Sequence, residues 1–197
     1  MKSSLGNIAV YCGSSSGASP AYRDSATKLG QAMLARNIGL VYGGASIGVM
    51  GQIADTVLQG GGQVTGVIPE ALAGLEIAHS DISELIVVRS MHERKALMAE
   101  RADGFIALPG GLGTMEELFE VLTWAQLGMH NKPCAMLNVN GYYDSLVGLL
   151  DTMVEQGFVK PLHRELLLVE NEVSPLLDRM QQYRPPKVDK IISKAET

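Results

Sequence analysis

Seven short apolar runs alternate along this chain with six longer stretches of helical periodicity, and few architectures accept that order. The runs are Asn7–Cys12, Ile38–Tyr42, Gln63–Ile68, Leu85–Arg89, Gly104–Leu108, Pro133–Val139 and, more weakly patterned, Leu166–Val169. Their apolar residues follow one another instead of alternating with polar ones. Both faces of each strand therefore need covering, as in a parallel sheet. The helical stretches are Pro20–Arg36, Ile47–Gln59, His92–Ala102, Thr114–Met129, Tyr143–Gln156 and Ser174–Tyr183. Small polar or acidic residues near their starts, and glycine after Gln59 and Gln156, supply cap chemistry. The predicted fold is α/β: a single-domain, Rossmann-like, doubly wound parallel sheet with helices on both faces. The domain is expected to span residues 1–183, long enough to bury a core without staples. Residues 184–197 open on Pro185-Pro186, are mostly polar, and are expected to form a flexible tail.

In such a sheet, ligands sit beyond the carboxyl ends of the strands, near the point where strand order reverses. Four strand-to-helix loops stand out there. Cys12-Gly13-Ser14-Ser15-Ser16-Gly17 is small and rich in hydroxyls, but it is not the GxGxxG of a dinucleotide site, and a plain turn accounts for it equally well. Tyr42 to Gly51 carries glycines at 43, 44, 48 and 51, which permit close approach either of a ligand or of the next helix. Ser90 to Lys95 begins a helix with two adjacent cations, Arg94 and Lys95, where the macrodipole disfavours positive charge. A ligand anion would account for them; so would pairing with Glu93 and Glu100.

The fourth loop is the most specific. Leu108-Pro109-Gly110-Gly111-Leu112-Gly113-Thr114-Met115-Glu116-Glu117 runs from a buried strand into a helix. Its glycines free successive N–H groups to converge, and the helix start adds partial positive charge and the Thr114 hydroxyl. The Gly-Lys-Ser/Thr of a triphosphate-binding P-loop is missing, so the loop suits a monophosphate. Glu117 has two readings. Thr114-x-x-Glu117 is a capping-box spacing, and Glu117 can simply cap its own helix. Alternatively, a carboxylate beside a ribose stabilises positive charge growing at the anomeric carbon. Glu120 lies three residues on from Glu117, and Thr123 seven on from Glu116, so each pair shares a face.

Other classes are disfavoured. The net charge of −5 argues against binding nucleic-acid polymers, and aromatics at 5% offer few stacking platforms. Cys12 and Cys134 lie in apolar runs and read as buried, reduced thiols. There is no CxxC or HExxH, and the four histidines lack ligand spacing, so no metal is expected. No cofactor is expected either. No apolar stretch resembles a signal peptide or a bilayer span, and a cytoplasmic protein is expected.

The nonapeptide Pro109–Glu117 matches the PGGxGTxxE signature of the Lonely Guy family, and Met91-His92-Glu93-Arg94-Lys95 resembles its Arg-Lys motif. The loop Gly43–Gly51, the run Trp124–Gly128 with Lys132-Pro133, and Asn140-Gly141-Tyr142-Tyr143 are similar as well, so the resemblance covers roughly residues 7–183. Members are often labelled lysine decarboxylases. The resemblance instead implies a cytokinin riboside 5′-monophosphate phosphoribohydrolase, which cleaves the N-glycosidic bond of AMP and N6-substituted AMP to free base and ribose 5-phosphate. It implies that Arg94 and Glu117 are catalytic, that Gly110, Gly111, Leu112, Gly113 and Thr114 hold the phosphate, and that Lys95, Glu76 and Thr123 contact substrate. It also implies a homodimer. Three rivals carry other chemistry: a nucleotide or molybdenum-cofactor carrier without turnover, a pyridoxal-dependent decarboxylase with Lys95 as Schiff base, and a single-stranded DNA binder.

Overall fold

The structure, a computed structural model, describes residues 5–73 and 78–187. Its elements run in order β1 (Asn7–Tyr11), α1 (Pro20–Leu34), β2 (Gly39–Tyr42), α2 (Gly48–Gln59), β3 (Val64–Pro69), α3 (Glu70–Ala73), β4 (Glu84–Val88), α4 (Met91–Arg101), β5 (Gly104–Ala107), α5 (Leu112–Gln126), β6 (Cys134–Leu137), α6 (Asp144–Glu155), α7 (Pro161–Arg164), β7 (Leu167–Glu170) and α8 (Val173–Gln181), with a 3-10 turn at Val139–Gly141. Each expected strand is present within two residues of its expected ends. The short α3 and α7 escaped the sequence reading because four residues show no periodicity.

The seven strands among the described residues are all parallel, in the order β4-β3-β2-β1-β5-β6-β7. The chain winds outward from β1 through β2, β3 and β4, then returns to lay β5 on the other side of β1. Strand order reverses between β1 and β5, where Tyr11 pairs with Ala107. The loops that leave these two strands, at Cys12 and at Leu108, therefore open onto one crevice.

The interior strands are apolar on both sides because both sides are covered. One face packs Ile8, Val10, Leu40, Tyr42 and Ile106 against Leu29 and Met33 of α1 and Ile53 and Val57 of α2. The other packs Ala9, Val41, Val67 and Phe105 against Met98 of α4 and Val121 of α5. Each fully buried Leu, Ile, Val or Met contributes about 1.5–3 kcal/mol relative to exposure, so these two layers dominate the stability. Cys12 and Cys134 are free and buried, and burial pushes both thiols up, away from reactivity. No helix among the described residues is long and apolar enough to cross a membrane.

Local cap chemistry places the helix starts. Ser19 accepts from the Ala21 N–H with Pro20 in the first helical position, and Ser90 accepts from the Glu93 N–H. After Gln59 the cap residue is Gly60, but the left-handed turn belongs to Gly61; after Gln156 Gly157 carries it as expected. Helix α5 starts at Leu112, two residues before the expected Thr114, with Gly111 as N-cap and no side-chain cap bond. Thr114 and Glu117 thus lie inside the helix, and the capping box does not form. The expected tail lies outside the described residues from 188 onward, as does Glu76.

Candidate active site

Three of the four loops singled out in the sequence are laced together at the crevice. The Gly13 N–H donates to the Pro109 carbonyl at 3.2 Å, and the Val49 and Met50 N–H groups donate to the Gly13 carbonyl at 3.0 and 3.2 Å. The first, second and fourth loops therefore form one floor at the carboxyl ends of β1, β2 and β5.

Gly111 and Gly113 in that floor are not explained by the fold. A Cβ built on either one meets nothing within 4 Å, and neither has a left-handed φ. Any small residue would fit if the protein alone decided. Glycine there keeps the backbone bare on the open side, which is what a ligand approaching the N–H groups requires. The first N–H groups of α5 have no intrahelical acceptor, and the helix dipole adds to their pull on an anion. Leu112, between the two glycines, turns its side chain outward and is 90% exposed, so its part in such a cradle is its backbone. Thr114 is buried beside Gly110.

Arg94 and Glu117, 23 residues apart in sequence, meet on the α4–α5 face of the sheet. Arg94 Nη1 donates to Glu117 Oε1 at 2.5 Å, and its Nε donates to the Val67 carbonyl at 3.0 Å. Both side chains are almost fully enclosed, Arg94 at 6% and Glu117 at 4% exposure. Burial raises the Glu117 carboxyl above its ordinary range; the Arg94 charge and hydrogen bond pull it down without overcoming that effect. A carboxylate raised in this way is a better base near neutrality than an ordinary glutamate. Tyr11 of β1 lies on the same side: burial, then the Glu117 carboxylate, push its phenol well up.

The second loop contributes space. A Cβ on Gly43 would meet Arg94 Nη2 first, then Arg94 Cζ and Met50 Sδ, both at 3.4 Å. Gly43 has no left-handed φ, so alanine is allowed by its backbone. Gly43→Ala is expected to leave the melting temperature within a few degrees of wild type, because the obstructing atom is a side-chain tip. It should lower turnover about 10–100-fold by pushing the guanidinium off Glu117. Thermal denaturation and a rate assay on the same preparation check both halves.

Lys95 is also buried, and its ammonium is held by Glu116 and, at 3.0 Å, by Glu120. Burial pulls its pKa down, but the two carboxylates more than offset this and keep it above the ordinary value. A Schiff-base lysine needs a neutral amine, so this enclosure opposes that rival. Glu117 and Glu120 share a face by spacing, yet they answer to different cations. Glu116 and Glu120, four residues apart on α5, share Lys95, while Glu117 turns to Arg94. Among the described residues neither cation takes Glu93 or Glu100 as partner; Glu93 instead accepts from the Arg89 N–H. Thr123 lies farther along α5, and its hydroxyl donates to the Phe119 carbonyl of its own helix.

A family model described as possible lysine decarboxylase matches residues 50–180. A probable cytokinin riboside 5′-monophosphate phosphoribohydrolase of Oryza sativa subsp. japonica is 50% identical over 178 residues, 90% of this chain and 78% of that protein. A cytokinin riboside 5′-monophosphate phosphoribohydrolase of Arabidopsis thaliana is 48% identical over 193 residues, 98% of this chain and 88% of that protein. Among solved structures, the molybdenum cofactor binding protein of Rippkaea orientalis superposes with a TM-score of 0.68 at 20% identity, covering 89% of this chain and 95% of that one. At that identity the likeness establishes the fold alone.

Proposed function

This chain belongs to the Lonely Guy family of phosphoribohydrolases, and on that premise we propose that it hydrolyses the N-glycosidic bond of AMP and of N6-substituted AMP, the cytokinin riboside 5′-monophosphates. The products are the free base and ribose 5-phosphate. The observation that carries the reading is a buried pair in which Arg94 of α4 meets Glu117 of α5, the helix that opens on the bare glycine cradle. From Leu112 to Glu117 the helix rises roughly 7.5 Å, on the order of the length of a ribose 5-phosphate. A phosphate on the amides of Gly110 to Thr114 thus sets the pentose against the carboxylate.

Binding of the phosphate, remote from the bond that breaks, orients the sugar. As the base departs, positive charge grows at C1′. Ionised Glu117 stabilises that charge and either activates water or attacks C1′. Arg94 holds Glu117 in place; its own proton is too tightly bound for general-acid work. Lys95, held between Glu116 and Glu120, steadies α4 against α5 and keeps positive charge near the substrate.

The test is product identification. AMP is expected to yield adenine and ribose 5-phosphate, and adenosine, which cannot use the cradle, should have a kcat/KM lower by at least ~100-fold. Equal rates on the two substrates would remove the phosphate from recognition.

The working unit is a homodimer. A groove of about 830 Å³ is lined by Ala96 and Ala99 of α4, Trp124 of α5, and Met129 and Pro133 of the loop that follows, among others, and neither Arg94 nor Glu117 lines it. Small residues on α4 leave room there for side chains of a second copy. Sedimentation equilibrium should give twice the chain mass, and Trp124→Arg should reduce it to the monomer.

A further inference from the structure

The notch between β6 and α6 holds two tyrosines that the reaction scheme has not used. Tyr143 is buried and donates its hydroxyl to the Leu108 carbonyl at 2.6 Å. Tyr142, partly exposed, donates its hydroxyl to the Gly110 carbonyl at 2.6 Å. Between them, the Pro109 carbonyl accepts from the Gly13 N–H, and the Gly111 carbonyl accepts from Met115 of α5. Every carbonyl from Leu108 to Gly111 is thereby tied to a donor of the protein.

That matters because a trans peptide points its C=O and N–H in opposite directions. Fixing the Gly110 carbonyl on Tyr142 fixes the Gly111 N–H on the other side. Fixing the Pro109 carbonyl does the same for the Gly110 N–H. A bare glycine backbone otherwise rotates freely, and a carbonyl swung into the crevice would repel a phosphate. The amides of Gly110 and Gly111 have no acceptor of their own among the described residues, so the tied carbonyls leave them available.

The notch is itself rigidly built. Asn138 Oδ1 accepts from the Tyr143 N–H at 2.7 Å, Asn138 Nδ2 donates to Asp144 Oδ1 at 2.7 Å, and the Asn138 N–H donates to the Glu170 carbonyl at 2.8 Å. Asn140 and Gly141 take left-handed φ values of 52° and 71°, which turn the chain so that consecutive tyrosines reach alternate carbonyls. The Tyr142 ring meets Tyr143 edge-on at 4.9 Å, and Tyr22 of α1 edge-on at 5.5 Å.

We propose that Tyr142 and Tyr143 are positioning residues for phosphate recognition: their hydroxyls hold the Gly110 and Leu108 carbonyls out of the crevice, and the Tyr142 tie aims the Gly111 amide at the 5′-phosphate, while the Tyr143 tie, whose peptide carries the proline nitrogen and no N–H, fixes where the loop leaves β5. The proposal rests on the phosphoribohydrolase reading for its substrate, but it concerns the anion alone.

The experiment compares wild type, Tyr142→Phe, Tyr143→Phe and the double variant. Steady-state rates are measured on AMP and adenosine, and calorimetric affinities on AMP and ribose 5-phosphate. Tyr142→Phe is expected to raise KM for AMP and Kd for ribose 5-phosphate about tenfold, and the double variant ~30-fold or more, with kcat within about threefold of wild type. kcat/KM for adenosine should not change. A merely structural role would move both substrates together. Unchanged affinity for ribose 5-phosphate in Tyr142→Phe, or an equal loss with adenosine, overturns the proposal. Should Tyr143→Phe fail to fold, Tyr142→Phe decides alone. Wild-type protein that binds AMP but releases no adenine would sink the hydrolase reading, and the calorimetric ratios would still decide the tyrosines. Wild type that binds neither AMP nor ribose 5-phosphate would overturn both.

Discussion

Glu117→Gln is expected to slow adenine release from AMP by more than ~100-fold, the scale of removing a positioned charge or base, while AMP binding stays within a few fold. Glutamine has the same shape and keeps an oxygen for Arg94 Nη1, so the geometry survives and only the charge is lost. The sign of the stability change separates this from damage to the fold. Burial holds the Glu117 carboxyl above its ordinary value even with Arg94 beside it. In the interval between the unfolded value and that raised value the folded state binds more protons. Stability from this group is therefore complete at acid pH and declines as pH rises through the raised value. Above that raised value the wild type bears the cost of an ionised buried carboxylate, and the neutral amide does not. The variant should melt no lower than wild type while turning over far more slowly, a trade between activity and stability. Differential scanning calorimetry and a coupled adenine assay check the two halves. A variant that keeps near-normal turnover removes Glu117 from the chemistry.

The second large effect concerns Arg94. Arg94→Ala should also lose more than ~100-fold at neutral pH, for a different reason. Glu117 then sits buried without its ion-pair partner, and its carboxyl rises further because the largest influence opposing burial is gone and only the weaker pull of Lys95 remains. The reaction needs the carboxylate, so activity climbs as pH rises through the Glu117 pKa. In wild type that limb lies above the range of an ordinary glutamate; in Arg94→Ala it should move to higher pH, and part of the lost activity should return on the alkaline side. A pH–kcat/KM profile of both proteins measures this. An identical profile at a uniformly lower level would mean that Arg94 does not govern the ionisation of Glu117. Loss of Arg94 also leaves the Val67 carbonyl without its donor and opens a cavity, so this variant, unlike Glu117→Gln, should melt lower than wild type. The double variant should cost about as much as either single one, because the two residues act as a unit.

These expectations also separate what is local in the sequence from what is not. The parallel sheet was legible because strands covered on both faces carry unbroken apolar runs, such as Ile8–Cys12 and Phe105–Leu108. The crevice was legible because a strand-to-helix loop with glycines at 110, 111 and 113 has a backbone chemistry of its own. Arg94 stood out for a related reason: a cation in the first turn of a helix opposes the dipole and so asks for a partner.

The partner was not legible. Helical spacing set Glu117 beside Glu120 and offered Glu93 and Glu100 to the cations. In the folded protein Lys95 takes Glu116 and Glu120, while Arg94 reaches Glu117 and the Val67 carbonyl of β3. Periodicity states which side chains share a face of one helix. It is silent on how α4 lies across α5, and that crossing alone assigns each cation its carboxylate. Gly43 was noticed as one glycine of a loop, yet its reason is the guanidinium lying against it, supplied from a helix some fifty residues away. Tyr142 and Tyr143 carried no signal beyond resemblance, since a tyrosine reads alike in a core and at a hinge. By itself, then, the order of residues determined the sheet, the crevice and the types of group that line it. Only the tertiary structure decided which groups meet, because ion pairs and carbonyl ties form across elements whose relative placement no local pattern encodes.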